Sequence, residues 1–274
     1  MNFPSANDFY DRFCKAVVRS GREQDFLNKW GLGSLDDVHE ILNNNVQGGY
    51  ASHKESIMSG NVSGSVLTIG PGMGFCVFLL SEMYDHVYAA EPDGENCSIL
   101  RSITPHYITG NNKAAGDISE IYHAGIAITE EAIKYWDMKQ QLMKKRHLKG
   151  SILNFDIHNA QELGQIFSHR VSRVYLHKVI SSFSIATSFE HIITQAREFL
   201  LPMCDITWSE PGYIFADILG FENDNTGRNM LQNIKPVFDK LNMSVDVIPY
   251  LVFNGEGENR LEETWMLIKA RRND

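Results

Sequence analysis

A short apolar run that stops on closely spaced glycines and restarts as a second apolar run can fold in few ways. Residues 65–81 read SVLTIGPGMGFCVFLLS. The five residues Ser65–Ile69 predict a strand buried on both faces, and CVFLLSEMY from Cys76 predicts a helix packed behind it. Between them Gly70, Gly72 and Gly74 let the backbone turn sharply and come close to a ligand, while the helix start offers unpaired N–H groups. Nucleotide-like ligands favour such a turn.

The same rhythm continues along the chain. HVYAA (86–90) predicts a second strand that stops at Glu91, with Pro92 and Asp93 suited to the start of another helix. SILNFD (151–156), SRVYLHKV (172–179) and MCDITWS (203–209) predict three more strands, separated by the helical runs NAQELGQIF and SFEHIITQAREFL. Such alternation implies a parallel sheet covered on both faces, whose strand ends line one ligand-binding edge. After a helix at NMLQNIKPVFDKL, SVDVIPYLVF (244–253) and ETWMLIKARR (263–272) predict a closing antiparallel pair. The expected fold is therefore α/β: a doubly wound, mostly parallel seven-stranded sheet with an antiparallel C-terminal strand.

Ahead of the glycine turn, residues 5–45 carry helical signals. Phe9, Phe13, Val17 and Val18 recur at helix spacing, and Ser34 with Asp37 resembles a capping box before Val38, Ile41 and Leu42. Phe9 and Phe13 are expected in the core. The Gly, Ser and Asn content of 47–64 predicts a loop and a hinge, with Tyr50 placed to close over a ligand. Residues 1–60 are thus expected to form a helical lid on a ligand-binding domain spanning 61–274. A helical insertion at 104–149 is too long for a simple connection.

Other ligand classes lose support. A dinucleotide fold needs glycine at the sixth position of the turn, where this chain has Phe75, and no Lys follows as a triphosphate loop requires. A formal net charge of -9 disfavours nucleic acid, and the basic run Lys139–Lys149 reads as the solvated end of a helix. Cys14, Cys76, Cys97 and Cys204 are too scattered for a metal site. The N-terminus has no signal-peptide pattern and no run of about 18 apolar residues occurs, so a cytoplasmic protein without a membrane partner is expected. A homodimer stays open.

An acid at the end of the second strand, Glu91, is placed to accept hydrogen bonds from both hydroxyls of a ribose. At this point the chain resembles the class I S-adenosylmethionine-dependent methyltransferases, VLTIGPGMG being similar to their first motif and AAEPD to their second. The resemblance covers about residues 60–272. It implies S-adenosyl-L-methionine as cofactor, with Gly70, Pro71, Gly72 and Gly74 against its methionine part and Glu91 and Pro92 at its ribose. NFDIHNAQEL resembles the third motif and gives Asp156 the adenine amino group and Ile157 the ring face. Thr68 stands where many members carry an acid.

The resemblance also implies transfer of the methyl group to an O or N atom, for which His177, at the C-terminal end of the fourth strand and beside the expected methyl position, is the candidate base. Its alternative reading is a packed histidine bonded to a neighbour. His158 is a weaker candidate, and Lys178 is expected on the opposite strand face. Glu210, Pro211, Gly212 and Tyr213 read as a turn after the fifth strand. No Asn-Pro-Pro-Tyr tetrapeptide is present at the fourth strand, so the expected acceptor is a small molecule rather than a DNA base. Transfer of an aminocarboxypropyl group and a cofactor-binding scaffold without catalysis remain as alternatives.

Overall fold

Strands and helices alternate along the residues that the computed structural model describes: 3–43, 49–60, 62–84, 86–91, 93–109, 152–153, 171–179, 189–211, 227–254 and 261–274. In chain order the elements are α1 (Ala6–Arg19), α2 (Glu23–Trp30), α3 (Asp36–Asn43), α4 (Tyr50–Met58), β1 (Ser65–Ile69), α5 (Phe75–Ser81), β2 (His86–Ala90) and α6 (Gly94–Thr109). They continue with β3 (Ile152–Leu153), β4 (Val171–His177), α7 (Phe189–Glu198), β5 (Leu200–Pro211), α8 (Gly227–Lys240), β6 (Met243–Asn254) and β7 (Leu261–Arg272). The fold is α/β with mixed, mostly parallel pairing, and β7 runs antiparallel to both β5 and β6. The chain divides into two units, Met1–Glu40 with Ser63–Glu162 and Ile41–Val62 with Leu163–Asp274.

In the first unit β1, β2 and β3 lie parallel in the order β3-β2-β1, with Thr68 opposite Ala89 and Ile69 opposite Ala90. Every residue of β1 is buried, as the unbroken apolar run requires. Helix α1 forms because Ser5 caps it, its hydroxyl oxygen accepting the Asp8 N–H at 3.1 Å, and because Phe9, Phe13, Ala16 and Val17 share one face. Val18, expected on that face, is exposed. It sits one residue past the buried stripe. Phe13 packs against Phe26, Phe75 and Phe78 with ring centroids 5.6, 5.3 and 5.5 Å away, all near edge-to-face. The expected capping box at α3 forms in altered register: Asp37 accepts the Ser34 N–H at 3.1 Å, and the Ser34 hydroxyl accepts the Asp36 N–H at 3.2 Å.

In the second unit β4 pairs in parallel with β5, which pairs with antiparallel β7, and β6 lies beyond it. The antiparallel C-terminal pair is as the sequence implies. Three expectations need correction here. Residues 50–58, read as loop, form α4, whose Ser52, His53, Ser56 and Ile57 are buried. Glu210 and Pro211, read as a turn, lie inside β5 opposite Met266 and Trp265, because pairing with a distant strand outweighs the local turn signal. Lys178 falls just outside β4 with φ 52, so strand alternation does not set its direction.

The helix α4 escaped the sequence pattern because its buried face is polar and is held by groups far away in the chain. Arg173 of β4 donates to the carbonyls of Ser56 and Ile57 at 2.7 and 2.8 Å, satisfying the last turn of α4, and its Nε donates to the Thr207 hydroxyl at 2.8 Å. Gly60 lets this guanidinium in: a Cβ there would lie 2.8 Å from Arg173 Cζ.

Phe13→Ala is expected to lower unfolding free energy by about 3–5 kcal/mol, since it removes a fully buried ring at the centre of four aromatic side chains. Urea unfolding monitored by circular dichroism checks this, and a loss below about 1 kcal/mol would contradict the packing described.

Candidate functional site

The glycine turn starts where β1 ends. Gly70, Gly72 and Gly74 all have positive φ, at 63, 56 and 94 degrees, a backbone that residues with a Cβ rarely adopt. The two tightest demands differ. At Gly74 a Cβ would lie 2.6 Å from Leu100 Cδ2, so glycine is needed for space as well as conformation. At Gly72 the nearest atom is Trp30 Cη2 at 3.9 Å, so the backbone there is uncrowded and only its conformation demands glycine. The Gly70 N–H donates to the Ala90 carbonyl at 2.9 Å, which ties the turn to the end of β2.

Glu91 follows β2 directly and is 5% exposed. Its Oε1 accepts the Asp93 N–H at 2.9 Å and its Oε2 accepts the Asn96 side-chain amide at 2.8 Å. The same Asn96 amide nitrogen donates to the Gly72 carbonyl at 2.8 Å. One side chain thus fixes the acid to the centre of the glycine turn. Burial pushes the Glu91 carboxyl above its usual value, and the two donated hydrogen bonds work against that. Asp93 caps α6 through the Asn96 N–H at 2.8 Å, and its carboxyl is held below its usual range by that N–H and by Lys29.

Helix α2 is moored beside this turn. Lys29, at its C-terminal end, bridges Asp93 at 2.6 Å and Glu95 at 3.2 Å, and Trp30 follows it with its ring toward Gly72. Two buried polar atoms there, Trp30 Nε1 and Asn96 Oδ1, have no hydrogen-bond partner among the described residues. Thr68, standing where an acid was expected from the resemblance, faces Cys76 with its hydroxyl 3.4 Å from Sγ. Burial pushes that thiol up to about 12, so Cys76 is a packed neutral group under the turn rather than a nucleophile.

A second cluster lies within the other unit. Arg173, Tyr175 and His177 occupy alternate positions of β4, and all three bond to α4. His177 stacks on His53 with centroids 3.7 Å apart and 24 degrees between planes, and Trp265 lies 5.2 Å away. Its Nε2 is 3.0 Å from the Ser52 hydroxyl. Burial, then His53, then Lys178 drive its pKa well below the usual histidine value, so the imidazole is neutral at physiological pH. The packed histidine and the candidate base are the same residue.

Pro92, Asp156, Ile157 and His158 lie outside the described residues, as do Gly212, Tyr213 and 110–149 of the insertion; its first residues, 104–109, close helix α6. Ser52, His53 and Asn96 were missed in the sequence. For Asn96 the available signal was its place in the first turn of the helix after Glu91. For Ser52 and His53 there was none, because α4 has no apolar period.

No family model matches the chain and no curated protein does. Among solved structures it is similar to a precorrin-6y C5,15-methyltransferase from Geobacter metallireducens, at 10% identity and TM-score 0.47 over 83% of this chain and 91% of that one. A magnesium protoporphyrin IX methyltransferase from Synechocystis, solved with bound SAM, shares 12% identity at TM-score 0.45 over 94% and 97% of the two chains. A tRNA methyltransferase from Aquifex aeolicus shares 13% identity at TM-score 0.46 over 86% and 76%. Similarity of this depth carries no argument about activity.

The depressed pKa of His177 fixes a sign for stability. Below its ordinary value of 6.5 the unfolded chain binds a proton that the buried imidazole refuses, so stability falls as pH falls from that value toward the folded pKa. In His177→Gln this acid slope is expected to be shallower by up to about 1.4 kcal/mol per pH unit. Urea unfolding between about pH 5 and 6.5 measures it. Equal slopes in both proteins would contradict the burial.

Proposed function

We propose that the chain is a methyltransferase that uses S-adenosyl-L-methionine and delivers the methyl group to an O or N atom of a small molecule. The observation that carries this reading is the Asn96 bridge, which ties an uncrowded, positive-φ glycine turn to a buried acid at the end of the neighbouring parallel strand. A nucleoside needs those two features together: backbone open enough for close approach, and a carboxylate with spare lone pairs for ribose hydroxyls. The orphaned Trp30 Nε1 and Asn96 Oδ1 beside the turn also suit a polar ligand.

When bound, the cofactor would supply an electrophilic methyl on a good leaving group. The chain's own part is then positioning and proton removal. Gly70, Pro71, Gly72 and Gly74 would face the amino-acid part, Glu91 with Pro92 the ribose, and Asp156 with Ile157 the adenine. His177, buried and neutral, would take the proton of the acceptor. The seven-stranded doubly wound sheet, the lid of residues 1–60 and an acceptor pocket shaped by the 104–149 insertion belong to this reading. The acidic charge supports a substrate other than nucleic acid, and a cytoplasmic location belongs to the same reading.

Calorimetry with S-adenosyl-L-methionine tests the binding half. The wild-type protein is expected to gain about 2.7 kcal/mol of stability at 100 times the Kd, and Gly72→Val or Glu91→Ala to lose that gain. Unchanged melting at millimolar cofactor would overturn the proposal. For catalysis, His177→Ala is expected to lower kcat about 100-fold or more while cofactor affinity survives, and undiminished turnover would remove His177 from the mechanism.

A further inference from the structure

Hydrogen counting within the α4–β4 cluster decides more than its distances do. A serine hydroxyl has one hydrogen to give. The Ser52 hydroxyl donates it to the Gly49 carbonyl at 2.9 Å, in the first turn of α4. Toward His177 Nε2, 3.0 Å away, Ser52 then faces as an acceptor, which places the ring hydrogen on Nε2; the reverse arrangement would leave the Gly49 carbonyl with the His53 N–H alone, at 3.3 Å. A neutral imidazole has one such hydrogen, which leaves Nδ1 with the lone pair.

The neighbouring ring is held through a tyrosine. The Ser56 hydroxyl lies 2.8 Å from the Ser52 carbonyl and 3.1 Å from that of His53, and shares a 2.6 Å hydrogen bond with the Tyr175 hydroxyl. The Tyr175 hydroxyl in turn lies 3.1 Å from His53 Nδ1.

We infer that Ser52 is a positioning residue, which by holding the Nε2–H of His177 makes Nδ1 the nitrogen that takes the acceptor's proton. The inference rests on the proposed role of His177. In that step the acceptor's O–H or N–H bond would break as its electron pair takes the methyl group, the methyl–sulfur pair would stay with the sulfur of the bound cofactor, an Nδ1–H bond would form, and the imidazolium would then release its proton to water. Burial favours that release, because the charged ring is poorly solvated. Tyr175 and Ser56 serve the neighbouring ring. They hold His53, and with it the ring stack.

The test is long-range proton–nitrogen NMR on the full chain labelled with nitrogen-15 histidine at neutral pH, without cofactor or acceptor. Resonances absent from His177→Gln identify the residue. The expected pattern is a pyrrole-type Nε2 and a pyridine-type Nδ1. In Ser52→Ala the pattern should shift toward a mixture of tautomers, with kcat reduced about 10-fold or more and KM retained. A wild-type Nδ1–H tautomer, or an unchanged pattern in Ser52→Ala, would overturn the inference, and if Ser52→Ala fails to fold the wild-type spectrum alone decides. Failure of cofactor binding would instead overturn the methyl-transfer reading and leave the tautomer result standing.

Discussion

A single primary amide joins the two features on which any ligand chemistry in the first unit depends. Asn96 gives its side-chain amide hydrogens to the Gly72 carbonyl and the Glu91 carboxylate, each at 2.8 Å. A hydrogen bond to a charged group is worth about 1.5–3 kcal/mol net, and a neutral one about 1 kcal/mol. These gains offset two costs of opposite kind: glycines held in one conformation, which lose backbone entropy, and an acid kept out of water. Because the pKa of Glu91 is raised, its favourable contribution to folding exists below its ordinary value of 4.5 and is lost as pH rises through the folded value. Ionising this acid therefore costs the fold more than ionising an exposed one would.

The second unit solves a different problem. Its helix α4 has almost no apolar face, yet Ser52, His53 and Ser56 are buried. Serine hydroxyls bonded to carbonyls three and four residues back replace water inside the helix, and Arg173 satisfies its end. Those hydroxyls also meet the Tyr175 hydroxyl and His177 Nε2 on β4. A polar network so fully connected is rigid, and removing one member leaves its partner buried without a bond.

The sequence displayed the parts of this molecule whose signals are local. The glycine turn, the acid after β2, the apolar strands and the antiparallel closing pair each follow from residues within a few positions of one another. Phe9 and Phe13 are in the core as their spacing implies. What failed was whatever depended on distant partners. Helix α4 looked like a loop because its Gly, Ser and Asn surroundings imitate one, and its stabilising guanidinium sits 116 positions away from Ile57. Glu210 and Pro211 looked like a turn because nothing near them announces β7. The protonation of His177 was also beyond sequence reasoning, since it depends on where a serine from another element sends its hydrogen.

The chemistry proposed for the chain therefore stands on the ribose acid and the open turn, with the histidine network as a separate device. The most direct measurement is a crystal structure with the reaction product S-adenosyl-L-homocysteine. The account predicts both ribose hydroxyls within hydrogen-bond distance of the Glu91 carboxylate and the amino-acid part against the backbone of Gly70–Gly74. A product bound elsewhere, or a Glu91 carboxylate that makes no contact with its sugar, would contradict it.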